Sequence, residues 1–352
     1  MKISLAVAPN FSSDQVLEIG QLAESLGFGT LWIPNILDGK DPYPALTALA
    51  KTTSKLMLGI AAISPWEAHP VKTALPLLTL NEASGGRAKV LISGGGEFVH
   101  ALHLQPERRV RAVQECIEII KGASETHPFN YEGELFKVTG FDPMWAVSER
   151  PRVLAAANAP MMLRMSARVA DGMMIAVLRP EMIKTLIDKN HQQLAKAERT
   201  IEEFHYDNWW PWHVKSSKEA SLKEARQWIS YQGIFRRDVL TEFMSDEEYD
   251  IIEANEANFY HATHTRSDHI EGVPDALVER IIDKLTSSGS INELDQHIHF
   301  LTQFKNTGLN GLTVRFYGSF KEHMDAIQTV GEHLIPKVDV QKSQYLGSAQ
   351  RD

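Results

Sequence analysis

The residues best suited to chemistry lie in a short glycine-rich segment. Gly94, Gly95 and Gly96 follow an apolar run, and Glu97 comes directly after them. Glycines at the carboxyl end of a parallel strand leave backbone N–H groups bare, and such groups suit a phosphate or the polar edge of a flavin. The same glycines could equally form an ordinary turn, and Glu97 could be a solvated residue at the start of a helix.

The histidines do not follow a metal-binding pattern. His261, His264 and His269 cluster in one polar segment, and His297 and His299 flank Ile298 in another. None of them belongs to an H-E-x-x-H motif, and no cysteine ligands accompany them. The sequence therefore predicts no metal site.

Short apolar runs alternate with amphipathic stretches along the whole chain, which predicts strands followed by helices. Eight such pairs favour a single α/β (β/α)8 TIM barrel, in which catalytic residues lie at the carboxyl ends of the strands. A doubly wound open sheet is the alternative, because periodicity alone does not separate the two. The eight predicted strands are ISLAVAP, TLWIP, KLMLGIAAIS, AKVLISGG, RVLAAAN, MMIAVL, HYDNWWPWHVKSS and GLTVRFYG.

Two segments depart from this alternation. Residues 203–272 are predicted to form an insertion near the seventh strand that covers the barrel mouth as a lid. Its aromatic residues could line a substrate pocket, form a dimer interface or pack the insertion itself. The barrel domain is predicted to span residues 1–338, and residues 339–352 to form a polar tail.

Composition restricts the function further. The 352 residues carry a formal net charge of −9, which argues against nucleic acid as a partner. Cys116 is the single cysteine, and its apolar helical surroundings predict a buried side chain rather than a nucleophile. A chain without a disulfide fits a reducing compartment, and no apolar run reaches the ~20 residues of a membrane span. These observations favour a cytoplasmic protein.

Several motifs, taken in order, resemble those of the bacterial-luciferase-like superfamily of flavin- and coenzyme F420-dependent oxidoreductases. The long stretch after the second strand and the His-Pro helix start are similar to its methylene-tetrahydromethanopterin-reductase-like branch. The matching segments are AESLGFGTLWIPN, GKDPYPALTALAKTTSKLMLGIAAISP, His69-Pro70, SGGR, FNYEGELFKV, Ala170-Asp171-Gly172 and the run from VPDALVERII to GLTVRF.

The resemblance implies where a cofactor would bind. Members of the superfamily have a non-prolyl cis peptide or a bulge behind the ring at the end of the third strand. That position falls on Ala61 and Ala62, whose small side chains would permit a close approach, although a tightly packed strand is the alternative. Gly94–Gly96, together with Asn158 and Ala159 after the fifth strand, would supply backbone amides on the same face.

The same resemblance implies catalytic candidates. A glutamate that matches Glu97 can serve as proton donor in the deazaflavin-dependent sugar-phosphate dehydrogenases, and His100 matches a polar cofactor-contacting position there. Those enzymes carry an Asp-His pair after the second strand, where this chain has Asn35 and Ile36. Isoleucine cannot exchange a proton, so their histidine-based mechanism does not carry over. The Asn35 amide could contact cofactor or substrate, or simply form a turn.

The leading hypothesis is an oxidoreductase that acts on a small organic substrate with coenzyme F420 or reduced FMN, with a slight preference for F420. F420 would imply hydride transfer, whereas reduced FMN would imply monooxygenation and a separate flavin reductase as partner. The family resemblance also implies a homodimer. Two alternatives stay open: a non-catalytic flavin-binding barrel, and a cofactor-independent barrel isomerase or metal-dependent hydrolase.

Overall fold

The strands of the barrel are the ones that the sequence predicts. The computed structural model describes residues 1–146, 149–232 and 234–338, with all side chains in these ranges except those at positions 100, 231 and 232. The strands are β1 (Lys2–Ala6), β2 (Thr30–Pro34), β3 (Met57–Ile63), β4 (Ala88–Ile92), β5 (Phe129–Glu132), β6 (Lys137–Phe141), β7 (Arg152–Ala156), β8 (Gly172–Ala176), β9 (His205–Lys215), β10 (Ser287–Ser290) and β11 (Gly311–Arg315).

Eight parallel strands close into a barrel. The hydrogen-bonded order is β9-β11-β1-β2-β3-β4-β7-β8, and β8 pairs with β9 to complete the ring. The predicted (β/α)8 barrel is thus confirmed, and the open-sheet alternative is excluded because an open sheet would leave two edges. Strand β9 pairs with β11 as far as Pro211, and from Trp212 onward it pairs with the additional strand β10.

Helices surround the barrel and extend over its mouth. They are α1 (Ser13–Leu26), α2 (Pro42–Ala50), α3 (Pro70–Ser84), α4 (Glu97–Ala101), α5 (Arg109–Glu125), α6 (Pro160–Val169), α7 (Pro180–Lys196), α8 (Lys218–Gln227), α9 (Arg237–Leu240), α10 (Asp246–Ala254), α11 (Glu256–Thr265), α12 (Asp275–Leu285), α13 (Leu294–Thr302), α14 (Phe320–His333) and α15 (Ile335–Val338). Short 3₁₀ helices lie at Ile229–Gln232, Ile291–Glu293 and Gln303–Asn306.

Local sequence signals set the ends of the helices that flank the barrel. Ser12 and Gln15 form a reciprocal capping box at the start of α1, and Gly27 ends that helix in the left-handed conformation, with φ of 92°. The Nδ1 atom of His69 accepts a hydrogen bond from the Val71 N–H at 3.3 Å, which caps α3. The N-caps at Ser12 and His69 fix where the strand-to-helix loops after β1 and β3 end, and loops of this kind carry the candidate site.

The barrel interior is filled in two layers. The layer nearer the carboxyl ends is apolar, and Gly59 makes room in it because a Cβ there would lie 2.2 Å from the Trp32 ring. The layer below it is polar: Lys89 Nζ donates to Thr30 Oγ1 at 3.0 Å. The core is therefore solid, and ligands are confined to the space above the apolar layer. That layer consists of Ala6, Trp32, Ala61, Leu91, Leu154 and Met174.

The segment FNYEGELFKV lies in an antiparallel hairpin formed by β5 and β6. The buried carboxylate of Glu115 anchors its turn by accepting the backbone N–H groups of Glu134, Leu135 and Phe136, each at 2.9 Å. Burial acts to raise the pKa of Glu115, but the hydrogen bond from Arg111 and these three backbone hydrogen bonds hold it below its ordinary value. The hairpin packs on α5.

The range 203–272 holds both barrel and non-barrel structure. Its first part is β9, and most of the remainder consists of the short helices α8–α11. We refer to residues 218–272 as the lid segment. Arg266 of this segment forms an ion pair with Asp38 in the loop after β2, with Nη2 3.0 Å from Oδ2. The lid segment thus touches the carboxyl end of the barrel, whereas the predicted tail, residues 339–352, lies outside the described residues.

The described residues contain no helix that could span a membrane. None of the helices in residues 1–146, 149–232 and 234–338 combines the length and the apolar character that crossing a bilayer would require.

Candidate active site

A cavity of about 280 Å³ opens at the carboxyl ends of the barrel strands. It lies directly above the apolar interior layer, where (β/α)8 enzymes place their chemistry. Its lining combines apolar walls, small residues and two glutamates. The lining residues are Pro34, Asn35, Ile36, Ala61, Ala62, Glu67, Leu91, Ser93, Gly96, Glu97, Phe98, Ala156, Met174, Ala176, Trp209, Arg315 and Tyr317.

The floor of this cavity is the peptide between Ala61 and Ala62. This bond is cis although neither residue is proline, and the pairing register of β3 with β4 shifts between Ala61 and Ile63. The expected cis peptide or bulge at the end of the third strand is therefore confirmed. With only methyl side chains at these two positions, a flat group can approach the backbone closely.

The walls beside the floor are largely apolar. Leu91 and Met174 are almost fully buried beneath the cavity, and Trp209 contributes part of an indole face. Ala156 and Ala176 also line the cavity, and their side chains are only methyl groups. A planar, mostly apolar ring fits such a slot, because its faces bury apolar area while its polar edge stays at the rim.

Asn35 is hydrogen-bonded to Glu67, a glutamate in the loop after β3. Its Nδ2 atom donates to Glu67 Oε2 at 2.8 Å and lies 3.4 Å from the carbonyl oxygen of Ala62. The other carboxylate oxygen of Glu67, Oε1, accepts the backbone N–H of Ser64 at 3.1 Å. The Glu67 carboxyl group is thereby held next to the Ala61–Ala62 floor.

The electrostatic surroundings of Glu67 are unusual for a carboxyl group. Burial raises its pKa from 4.5 to about 7, although the hydrogen bonds from Asn35 and Ser64 act in the opposite direction. Only the S-x-x-E spacing of Ser64 and Glu67 was visible in the sequence, and that spacing is typical of a turn or helix cap. The role of Glu67 depends on its contact with Asn35, which sequence proximity does not reveal.

Glu97 also lines the cavity, but its contacts join loops. Oε2 accepts the backbone N–H of Leu37, in the loop after β2, at 3.1 Å. Oε1 is buried and has no hydrogen-bond partner among the described residues, while Nε2 of His264 in the lid segment is 4.0 Å away. A buried carboxylate oxygen without a hydrogen bond is typical of a position that a ligand completes.

The other predicted site residues lie around the rim. Gly96 lines the cavity, whereas Gly94 and Gly95 lie beside it in the same loop. Asn158 holds the end of β8, since its Oδ1 accepts the Ala176 N–H at 3.2 Å. Asn158 and Ala159 are not among the lining residues. His100 belongs to α4, but its side chain lies outside the described part of the structure.

A second cavity of about 430 Å³ adjoins the first, and Ile36, Arg315 and Tyr317 line both. Arg315 is 5% exposed, and its guanidinium lies 5.2 Å from the centre of the Tyr317 ring. The acidic residues Glu224 and Glu322 are both paired with Lys215, at 2.6 and 3.0 Å. The mouth of the barrel is therefore wider and more polar than its floor.

Of the histidines that cluster in the sequence, His261 and His264 lie on α11, whereas His297 and His299 lie on α13. His264 of α11 lies near Glu97, while His297 packs against Trp212 with ring centres 6.1 Å apart. Across residues 1–146, 149–232 and 234–338, no three His, Cys, Asp or Glu side chains are grouped in a way that could hold a metal ion. Cys116 is fully buried, as predicted, and burial raises the pKa of its thiol.

Comparison with known proteins gives a consistent result. Residues 4–310 match the family model described as luciferase-like monooxygenase. A 5,10-methylenetetrahydromethanopterin reductase of Archaeoglobus fulgidus is 25% identical over 341 residues, which cover 96% of this chain and 100% of that protein. The reductase of the same name from Methanolobus tindarius is 30% identical over 196 residues, 54% of this chain and 60% of that protein.

A solved structure supports the same fold. The coenzyme F420 dependent tetrahydromethanopterin reductase from Methanopyrus kandleri superposes with a TM-score of 0.76 and 20% identity, over 96% of this chain and 100% of the other. At this level of identity the likeness concerns the fold.

Proposed function

Because this chain belongs to the luciferase-like monooxygenase family, we propose that it is an oxidoreductase that transfers hydride to or from a small organic substrate with bound coenzyme F420. The observation that carries the proposal is the apolar cavity at the carboxyl ends of the strands, with the Ala61–Ala62 peptide as its floor. The cofactor would supply the hydride chemistry, and the protein would position it and exclude water.

The preference for F420 rests on the relatives. The chain is similar over nearly its whole length to a methylenetetrahydromethanopterin reductase, and the similar fold from Methanopyrus kandleri is named as F420 dependent. Reduced FMN is the second candidate because the family model carries the name of a monooxygenase. With reduced FMN the reaction would be monooxygenation, and a separate flavin reductase would have to supply the cofactor.

Individual residues receive proposed roles on the substrate side and at the rim. Asn35 would contact the ligand through its amide, and His100 would contact the cofactor. Two carboxyl groups line the cavity: Glu97, at which the family resemblance implies a proton donor, and Glu67, which the resemblance does not mark. The backbone amides of Gly94–Gly96 and of Asn158 and Ala159 would bind the anionic part of the cofactor. The buried Oε1 of Glu97, without a hydrogen bond among the described residues, supports a ligand at this position.

The lid segment, residues 218–272, would cover the bound cofactor and select the substrate. The contacts of Arg266 with Asp38 and of His264 with Glu97 support this role, because both connect the lid segment to the strand ends. We further propose that the protein acts in the cytoplasm as a homodimer, as the family resemblance implies.

Fluorescence titration of the cofactor-free protein with coenzyme F420, FMN and reduced FMN in parallel tests this proposal. Selective binding of F420 with a micromolar or lower dissociation constant is expected. Selective binding of reduced FMN would mean that the reaction is monooxygenation and not hydride transfer, and a partner reductase would then have to be sought. If none of the three bound, the oxidoreductase proposal would fail.

A further inference from the structure

Two carboxyl groups face the barrel cavity, and their neighbours differ. Glu97 connects the loop after β2 to the lid segment through Leu37 and His264. Glu67 instead belongs to the loop that leaves the cavity floor, and its hydrogen bonds go to Asn35 and to the Ser64 N–H. Only Glu67 is connected to the floor, since Asn35 Nδ2 lies within 3.4 Å of both its carboxylate and the Ala62 carbonyl.

The position of Glu67 matches that of an acid–base group. A ring lying on the Ala61–Ala62 peptide would have this carboxyl group at its edge, where a substrate must also approach. The other ionisable side chains that line the cavity are Glu97 from α4, together with Arg315 of β11 and Tyr317 directly after that strand. A carboxyl group that changes protonation near neutral pH can both accept and return a proton.

We propose that Glu67, held by Asn35, is the residue that exchanges the substrate proton during hydride transfer. This assignment rests on the proposed hydride-transfer function. In the oxidising direction, the C–H bond of a substrate carbon bearing a hydroxyl or amino group breaks, and its electron pair leaves as hydride to the oxidised deazaflavin. The O–H or N–H bond breaks at the same centre, its proton passes to the Glu67 carboxylate, and a C=O or C=N bond forms. Reduction reverses each change.

This assignment gives the two glutamates different tasks, and it places the proton exchange on Glu67 rather than on Glu97. Glu97 would hold the loop after β2 and the lid segment together and complete the polar rim. Glu67 would carry the proton, and Asn35 would act as a positioning residue that fixes the carboxylate and connects it to the floor.

Calorimetry of cofactor binding can test the assignment without a known substrate. Coenzyme F420 is titrated into the wild-type protein, Glu67→Gln and Glu97→Gln at pH 7 in two buffers with different ionisation enthalpies, which gives the number of protons taken up. A ring beside Glu67 would bury its carboxyl group further and favour the protonated form. We expect the wild type and Glu97→Gln to take up a fraction of a proton, and Glu67→Gln to take up none.

The outcomes separate the two proposals. Failure of F420 to bind the wild type would remove the hydride-transfer function and this assignment together. Binding with equal proton uptake in the wild type and Glu67→Gln would leave the function standing and overturn the role of Glu67. If uptake were lost only in Glu97→Gln, Glu97 would be the proton-exchanging group.

Two further measurements test whether Glu67 exchanges the proton. If Glu67→Gln did not fold, NMR titration of the wild type with ¹³C-labelled glutamate carboxyls would replace it. A resonance with a midpoint near pH 7 must then shift when F420 binds, and an unchanged midpoint would contradict the assignment. Once a substrate is found, Glu67→Gln should lower kcat by about 100- to 10,000-fold at unchanged F420 affinity.

Discussion

The Nδ2 atom of Asn35 lies 2.8 Å from Oε2 of Glu67 and joins the loops that follow β2 and β3. The contact brings a titratable group to the edge of the Ala61–Ala62 floor. It also holds a carboxyl group in surroundings that favour its protonated form, because burial outweighs the hydrogen bonds that it accepts. A group placed in this way is expected to reduce stability while it serves a reaction.

Glu67→Gln should therefore stabilise the protein at alkaline pH. The pKa of Glu67 is raised from 4.5 to about 7 in the folded state, so between these values the folded state holds a proton that the unfolded state has released. Stability consequently falls as pH rises from about 4.5 to 7, and glutamine removes this loss. After allowance for partial exposure, the free energy of unfolding should rise by about 1–2 kcal/mol at pH 8.

Urea unfolding of the two proteins at pH 8 and pH 5 measures this effect. The difference should be large at pH 8 and shrink toward pH 5, where both states of the wild type carry the proton more often. A difference that did not change with pH would mean that the carboxyl group is not destabilised in the folded protein.

The barrel could be predicted because each of its strands has a recognisable local sequence pattern. The runs that form β2, β3 and β4 are apolar, short and bounded by turn residues, and Ser12 and Gly27 are residue types that favour the helix ends at which they lie. Strand β10 could not be predicted in this way. Its residues, Ser287–Ser290, have no apolar pattern, and they form a strand only because Trp212–Lys215 of β9 pairs with them.

The candidate site was only partly predictable for a related reason. Asn35 follows β2 directly, and Gly96 and Glu97 lie in and just after the loop that leaves β4, so the general rule for barrel enzymes selects them. Glu67 lies in a loop after a Ser-Pro break, and nothing in its neighbourhood distinguishes it from a surface glutamate. Its burial results from contacts between the loops after β2 and β3, and such long-range contacts are not encoded in local periodicity.

Filling the cavity floor should weaken cofactor binding without unfolding the protein. Ala62→Leu places three more carbon atoms where the ring is proposed to lie, and overpacking of this kind costs about 1–3 kcal/mol, or about 10- to 100-fold in affinity. Ala254→Leu adds the same volume on an exposed face of α10 and serves as control. Equal F420 affinity of the two variants, measured by fluorescence titration, would show that the ring binds elsewhere.

The glycines after β4 should differ in their tolerance of a methyl group. Gly95 has φ of 111°, and a Cβ there would lie 2.5 Å from Val99 Cγ2, whereas a Cβ at Gly96 would have no atom within 4 Å. Gly95→Ala should lower the free energy of unfolding by about 1–3 kcal/mol, and Gly96→Ala should change it by less than about 0.5 kcal/mol. Chemical denaturation of both variants measures these free energies of unfolding, and equal stability of the two would contradict the loop geometry.

Removal of the contact between the lid segment and the barrel should speed the release of the cofactor. Arg266 pairs with Asp38 after β2 and packs over the Trp228 ring, with 3.9 Å to its centre. An exposed ion pair contributes at most about 1 kcal/mol, so Arg266→Ala should raise the dissociation rate of F420 up to about fivefold. Stopped-flow fluorescence measures this rate directly.

Arg237 provides the matched control, because it too is an arginine of the lid segment with ion-paired carboxylates. Its partners, Asp246 and Asp250, belong to α10 of the same segment, so Arg237→Ala removes an ion pair without touching the barrel. If the lid segment closes over the cofactor, only Arg266→Ala should release it faster, and it should also expose the lid segment to proteolysis. Equal release rates in both variants would mean that the segment does not cover the site, and substrate selection would then have to reside in the barrel loops themselves.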